Sequence, residues 1–167
     1  PKTERLIQLA DLVVVTGSQS NVRAGYSSGT PALGVGAGNV VTIIDETADI
    51  DEAAAKIAAS KIFDNATSCS SENAVIAVDA VYDRVVEALA REGGYCLDAA
   101  QTAHLEGIHW HHGKLTTRLL AKDIDVVLAE TGFAENAPAD TRFLVAPQTE
   151  FGPDHPMTGE KMSRFLA

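Results

Sequence analysis

Residues 12–16 read Leu-Val-Val-Val-Thr, an apolar, mostly β-branched run with no polar residue alternating through it. Such a run suits a strand of a parallel sheet covered on both faces. Gly17-Ser18 interrupts it, SNVRAGYSS at 20–28 carries a short helical pattern closed by Gly29, and ALGV at 32–35 starts a second strand. Strand, helix and strand in this order make a βαβ unit, whose crossover is right-handed almost without exception. The fold class expected is therefore α/β. The Gly17-Ser18 junction sets backbone N–H groups at a helix N-terminus, where an anion is stabilised. It lacks the GxGxxG spacing, so from the residues alone it is either a structural turn or a nucleotide contact.

The pattern continues downstream. GVGAGN (34–39) is a glycine cluster that permits a crowded bend or a close ligand, and VVTIID (40–45) is the next strand. Asp49 with Glu52 forms a start resembling a capping box. The helix it opens carries Ile50, Ala53, Ala54, Ile57 and Ala58 at helical spacing. NAVIAV (73–78) is a strand, and Tyr82, Val85, Val86, Leu89 and Ala90 mark an amphipathic helix ended by Gly93-Gly94. Residues 98–130 are helical in tendency but poorly periodic, RFLVA (142–146) is a strand, and FGPDHPMTGEK (151–161) is a Pro/Gly loop. His109-Trp110-His111-His112 invites a metal, yet no carboxylate at helical spacing completes a ligand set. An exposed loop and no metal are expected there.

Between the Ala-rich helix and the strand at 73–78 lies FDNATSCSSENAV (63–75), with Cys69 on a tight turn of small polar residues. Thiolate is the reactive form of cysteine, and a turn rich in free N–H groups favours it and can also stabilise an oxyanion. From this stretch alone Cys69 is either a nucleophile or a small buried hydrophobe. Cys69 and Cys96 lie far apart without CxxC spacing, which disfavours a disulfide framework and a zinc site and fits a reducing cytoplasm. A net charge of −10 argues against a nucleic-acid partner. No apolar run reaches the ~18 residues a membrane helix needs. The N-terminus shows no signal-peptide pattern, Pro1 is not an initiator methionine, and Ala167 follows the apolar run MSRFLA. An internal piece of a longer protein is expected.

TGSQSNV, YSSGTPALGVGAGNV, DETADI and FDNATSCSSENAV, in this order, resemble the aldehyde dehydrogenase superfamily, and within it the CoA-acylating branch that includes the sulfoacetaldehyde dehydrogenases and the aldehyde half of the aldehyde–alcohol dehydrogenases. The resemblance implies a three-layer α/β/α fold. Residues 1–45 would be the C-terminal part of a Rossmann-like NAD-binding domain, and 46–167 an incomplete catalytic domain bearing the thiol. It implies that Cys69 is the nucleophile, that Gly17 and Ser18 sit beside the nicotinamide end of the cofactor, and that Glu160 holds the nicotinamide ribose. NAD or NADP is the implied cofactor and coenzyme A the co-substrate. The implied partner is a small aldehyde, sulfoacetaldehyde being the candidate, and the full-length protein is expected to be a homo-oligomer.

Three departures from family patterns carry weight. Hydrolytic members have a glutamate base where this chain has Gly34, which favours the acylating branch. Aldehyde–alcohol enzymes have a His before the last glutamate, where this chain has Gly159. The same motif continues as Ser163-Arg164 in place of Ser-Pro. The early strands for the adenosine half, the upstream Asn of the family's oxyanion hole and the C-terminal portion have no counterpart in these 167 residues. A hydrolytic aldehyde dehydrogenase is the near alternative. A non-catalytic assembly module with Cys69 merely buried is the alternative of another class.

Overall fold

A computed structural model describes residues 2–167, which cluster into two compact units, one running to Gly38 and the other from Asn39 to Ala167. In the first unit, helix α1 (Lys2–Leu9) precedes strand β1 (Val13–Thr16), helix α2 (Gln19–Tyr26) and strand β2 (Ala32–Val35). β1 and β2 pair in parallel, from Val13 opposite Ala32 to Thr16 opposite Val35. Helix α2 lies close on β1 because Gly25 has no side chain: a Cβ there would come within 2.6 Å of Val15 Cγ2. The strands, expected to be covered on both faces, are covered on one. Val14, Leu33 and Val35 remain exposed, because this unit supplies a single crossover helix.

The second unit contains β3 (Val40–Ile44), α3 (Ile50–Ile62), β4 (Glu72–Ala77), α4 (Tyr82–Arg91), β5 (Gly94–Cys96) and α5 (Ala99–His109). A short ribbon, β6 (Trp110–His111) with β7 (Lys114–Leu115), leads to α6 (Ile124–Thr131), β8 (Phe143–Val145) and β9 (Phe165–Leu166). β3 pairs with β4, and β8 lies between β5 and β9; all of these pairings are parallel. Ala167 joins the two groups: its N–H donates to Asn73 O at 3.1 Å, and its carbonyl accepts from Val75 N at 2.9 Å. The spatial order is thus β3-β4-β9-β8-β5.

Side chains on a strand alternate between its faces, and here that alternation builds two cores. Phe143, Val145 and Leu166 pack with Ile44, Ile57, Val85 and Leu89 on the side of α3 and α4. Their neighbours Leu144, Ala146 and Phe165 pack with Leu105, Leu119 and Val127 on the other side. The result is the α/β/α layering of this unit. Asp49 caps α3 by accepting from Glu52 N at 3.0 Å, while the Glu52 side chain pairs with Lys56 instead of closing a box. A complete capping box opens α5, where Asp98 and Gln101 bond reciprocally at 2.8 and 2.9 Å.

The histidine tract departs from the expected exposed loop. α5 extends through His109 and carries its ring into the core, where Nε2 meets Lys161 O at 2.8 Å and the ring packs edge-on against Trp110 and Phe165. Trp110 and His111 pair across the ribbon, and left-handed His112 and Gly113 form its tip. His111 and His112 alone are exposed. Among the described residues, no group of three His, Cys, Asp or Glu could hold a metal, and no helix is long and apolar enough to cross a membrane.

Two lysines, Lys61 and Lys161, are also fully buried. Burial, which disfavours the charged form, pulls Lys61 down to about 7 and Lys161 to about 6; Lys161 is lowered further by the charge of Lys61. His109 is lowered to about 4, again chiefly by burial. Between these values and the ordinary ones, the unfolded chain binds more protons than the folded chain, so stability rises with pH. Thermal midpoints should therefore climb between pH 6 and pH 9. Lys61→Met with Lys161→Met should flatten that slope in a circular-dichroism melt series. A midpoint falling over this range, or an unchanged slope in the double variant, contradicts the assignment.

Candidate functional site

Helix α3 hands the chain to Phe63–Ala66, a single tight turn whose last three residues, Asp64, Asn65 and Ala66, have φ of 47°, 53° and 57°. Asn and Asp tolerate the left-handed region, but for Ala it costs on the order of 1–3 kcal/mol. Surrounding bonds hold the conformation. Thr67 Oγ1 donates to Asp64 O at 2.6 Å and to Asp64 Oδ2 at 2.7 Å, and Asn65 Nδ2 donates to Asp123 Oδ1 at 3.0 Å. Ser68–Ser71 then forms a further turn closed by Ser71 N–H on Ser68 O at 3.0 Å. Cys69 stands in that turn, reduced and exposed, between two serines whose hydroxyls meet at 2.9 Å. The turn opens directly into β4.

Glu160, half-buried, sits on the loop that precedes β9. Its neighbour Lys161 fastens this loop to β4. Lys161 N–H donates to Asn73 Oδ1 at 3.0 Å, and its Nζ donates to Asn73 O at 2.5 Å and to Gly159 O at 3.1 Å. Lys61, from α3, donates to Glu72 O at 2.8 Å. A second path runs through the segment before α6. Asn65 Nδ2 reaches Ala121 O at 3.4 Å, and Ala121 N–H donates to Met162 O at 3.0 Å. Ala121 and Met162 are themselves left-handed, with φ of 57° and 48°. Ser163 Oγ donates to Leu119 O, and Arg164 reaches Ile62 O at 3.4 Å and Asp123 at 3.9 Å. The thiol turn and the Glu160 loop are thus joined twice.

Gly17 and Ser18 belong to the first unit. Gly17 has φ 112° and nothing within 4 Å of where a Cβ would stand, while its N–H donates to Val35 O at 3.2 Å. Ser18 caps α2, its hydroxyl accepting from Asn21 N at 3.4 Å and meeting Ser20 Oγ at 2.8 Å. At Gly34 the space a side chain would need is taken. A Cβ there would stand 2.7 Å from Val22 Cγ1 and 2.8 Å from Tyr26 Cε2, and Gly34 N–H donates to Tyr26 OH at 2.9 Å. From Ala32 to Asn39 no residue carries a carboxylate.

An open apolar groove of about 660 Å³ is bounded by β4, α4 and the loop from Pro147 to Gly159. Cys69 does not line it, although Gly159 does, so the groove and the thiol turn lie apart along β4. Of the residues named here, Lys61, Asn73 and Lys161 carried no signal in the sequence.

The sequence model described as the Aldehyde dehydrogenase family matches residues 8–93. A sulfoacetaldehyde dehydrogenase (acylating) of Cupriavidus necator is 47% identical over 164 residues, covering 98% of this chain and 33% of that protein. Among solved structures, an acetylating aldehyde dehydrogenase from Geobacillus thermoglucosidasius superposes with a TM-score of 0.91 at 36% identity, over 98% of this chain and 36% of its own. A Rhodopseudomonas palustris propionaldehyde dehydrogenase with bound propionyl-CoA has a TM-score of 0.84 at 27% identity, over 99% of this chain and 37% of its own. The chain therefore spans about a third of the length of these relatives.

Both thiols are exposed, but partial burial pushes the Cys96 thiol up, reducing its thiolate fraction at neutral pH. Iodoacetamide at pH 7 should therefore alkylate Cys69 several-fold faster than Cys96, measured by peptide mass spectrometry over a time course. Equal rates would remove the kinetic distinction on which a nucleophilic Cys69 depends.

Proposed function

Since the chain belongs to the aldehyde dehydrogenase family, we propose that it is the thiol-bearing part of a CoA-acylating aldehyde dehydrogenase with Cys69 as nucleophile. The observation that carries this reading is the exposed Cys69 on a turn held by its neighbours and tied to the Glu160 loop. The Cys69 thiolate attacks the aldehyde carbonyl, a C–S bond forms, and the carbonyl oxygen takes the negative charge. Gly17 and Ser18 are assigned to the nicotinamide side of NAD(P), and Glu160 to its ribose. Gly17 fits this assignment, because its bare backbone has open space where a side chain would stand. NAD(P), when bound, would supply the hydride acceptor, so that loss of hydride from the Cys69 adduct re-forms the carbonyl as a thioester. The thiolate of coenzyme A then attacks the thioester carbon, the bond to Cys69 breaks, and the enzyme thiolate leaves.

The acceptor follows from what surrounds residue 34. Water needs a general base to attack a thioester, a contribution of typically 10²–10⁴-fold. The segment from Ala32 to Asn39 offers no carboxylate, and Tyr26 fills the space above Gly34. Coenzyme A needs less help, because a thiol ionises about seven pKa units more readily than water. Sulfoacetaldehyde is the proposed substrate, supported by the 47% identity with the Cupriavidus protein of that name. Unpaired exposed cysteines suit the reducing cytoplasm proposed as its location.

In the full-length protein, NADH formation should require coenzyme A and fall to a slow background without it, with acyl-CoA identified by chromatography. Cys69→Ala should abolish turnover. Sulfoacetaldehyde should give a higher kcat/KM than acetaldehyde or propionaldehyde. Equal rates with and without coenzyme A, and free acid as product, would establish a hydrolytic enzyme instead.

A further inference from the structure

Two lysines buried without exposure are costly, because a desolvated amino group, charged or neutral, must recover its lost hydrogen bonds to water from fixed partners. Local rules are broken in this way chiefly where function requires it. The partners of Lys161 are specific. Its side chain spans from Asn73 O, on the strand leaving the thiol turn, to Gly159 O, directly before Glu160, and its own N–H holds Asn73 Oδ1. His109 Nε2 meets its carbonyl. Lys61 is equally buried yet makes a different hydrogen bond, from α3 to Glu72 O.

We propose that Lys161 is a positioning residue that latches the Glu160 loop to the strand following Cys69, so that the glutamate keeps a fixed register with the nucleophile. This rests on the assignment of Cys69 and Glu160 made above. The latch acts through backbone carbonyls on both sides, so its loss leaves the thiol turn in place and frees the glutamate. The turn of Cys69 is closed by Ser71 N–H on Ser68 O, and the bonds among Asp64, Asn65, Thr67 and Asp123 hold the residues before it; none of these involves Lys161. The consequence is a defect in nicotinamide nucleotide binding with little change in thiol reactivity. A lysine that only filled core space would show neither preference.

The test uses the full-length enzyme with Lys161→Met, Lys61→Met, Asn73→Ala and Glu160→Gln. Met preserves the length of the buried stem and removes the donors. Lys161→Met should raise KM for NAD(P) about 10- to 100-fold, the scale of a misplaced binding group, with the Cys69 alkylation rate unchanged within about twofold. Asn73→Ala, which removes the acceptor for Lys161 N–H, should raise KM in the same direction and decides the matter if Lys161→Met fails to fold. Lys61→Met should leave KM for NAD(P) unchanged. An unchanged KM in folded Lys161→Met, beside a raised KM in Glu160→Gln, overturns the latch and leaves the Glu160 assignment standing. Equal rises in the two lysine variants also overturn it, since general loosening of the core then explains both. An unchanged KM in Glu160→Gln overturns the Glu160 assignment, and the latch with it.

Discussion

The peptide of Asn73 is where the second unit is held together. Its carbonyl accepts the N–H of Ala167, which joins the β3-β4 pair to the β9-β8-β5 group, and the same oxygen accepts from Nζ of Lys161. Its side chain takes a third donor, the N–H of Lys161. One residue therefore closes the sheet and anchors the loop before β9. Because β4 begins three residues after Cys69, the pairing of this strand with β3 and with Ala167 fixes where the thiol turn ends. A buried carbonyl has two lone pairs to satisfy, and here both are used.

The turn itself stores conformational cost that this frame must offset. Of the six non-glycine residues with positive φ among the described residues, five lie in two connected places: Asp64, Asn65 and Ala66 before the thiol, and Ala121 with Met162 beside the Glu160 loop. The hydrogen bonds from Asn65 to Ala121 and from Ala121 to Met162 make these one network. Left-handed Ala and Met are uncommon because Cβ crowds the backbone, and they persist only where surrounding contacts over-determine them. Strain at a single turn could relax by moving the turn. Strain shared between two loops cannot relax without moving both, which keeps their spacing constant.

Much of the fold was legible because it rests on short-range rules. The β-branched run at 12–16, the Asp49 cap and the apolar run in RFLVA each declare an element from neighbouring residues alone, and β1, α3 and β8 follow. The turn at Cys69 was legible in the same way, from small polar residues between a helix and a strand. His109 was not. Its burial depends on Phe165, Trp110 and Lys161, and two of these lie more than fifty positions away, so local polarity pointed to an exposed loop. The capping box at Asp98 was illegible because the helix behind it lacks a clean apolar period. Lys61 and Lys161 were illegible for a related reason. A lysine normally marks a solvated face, and only the fold reveals the backbone carbonyls that receive these two.

The chemistry proposed for the thioester has its own structural logic in the first unit. Deleting a general base from a hydrolytic site would leave a void that water could still enter. Gly34 leaves no such void, because Tyr26 reaches across from α2 and its hydroxyl takes the Gly34 N–H, with Val22 closing the other side. The glycine is held by close approach, so a side chain at this position collides with α2 before it reaches solvent. Restoring a glutamate at residue 34 would therefore require α2 to move off the strand. That movement would forfeit the close packing of Gly25 on Val15, which a missing Cβ allows. In the proposed reaction, transfer to a thiol acceptor would then be built into the packing of the βαβ unit as well as into the absence of a carboxylate.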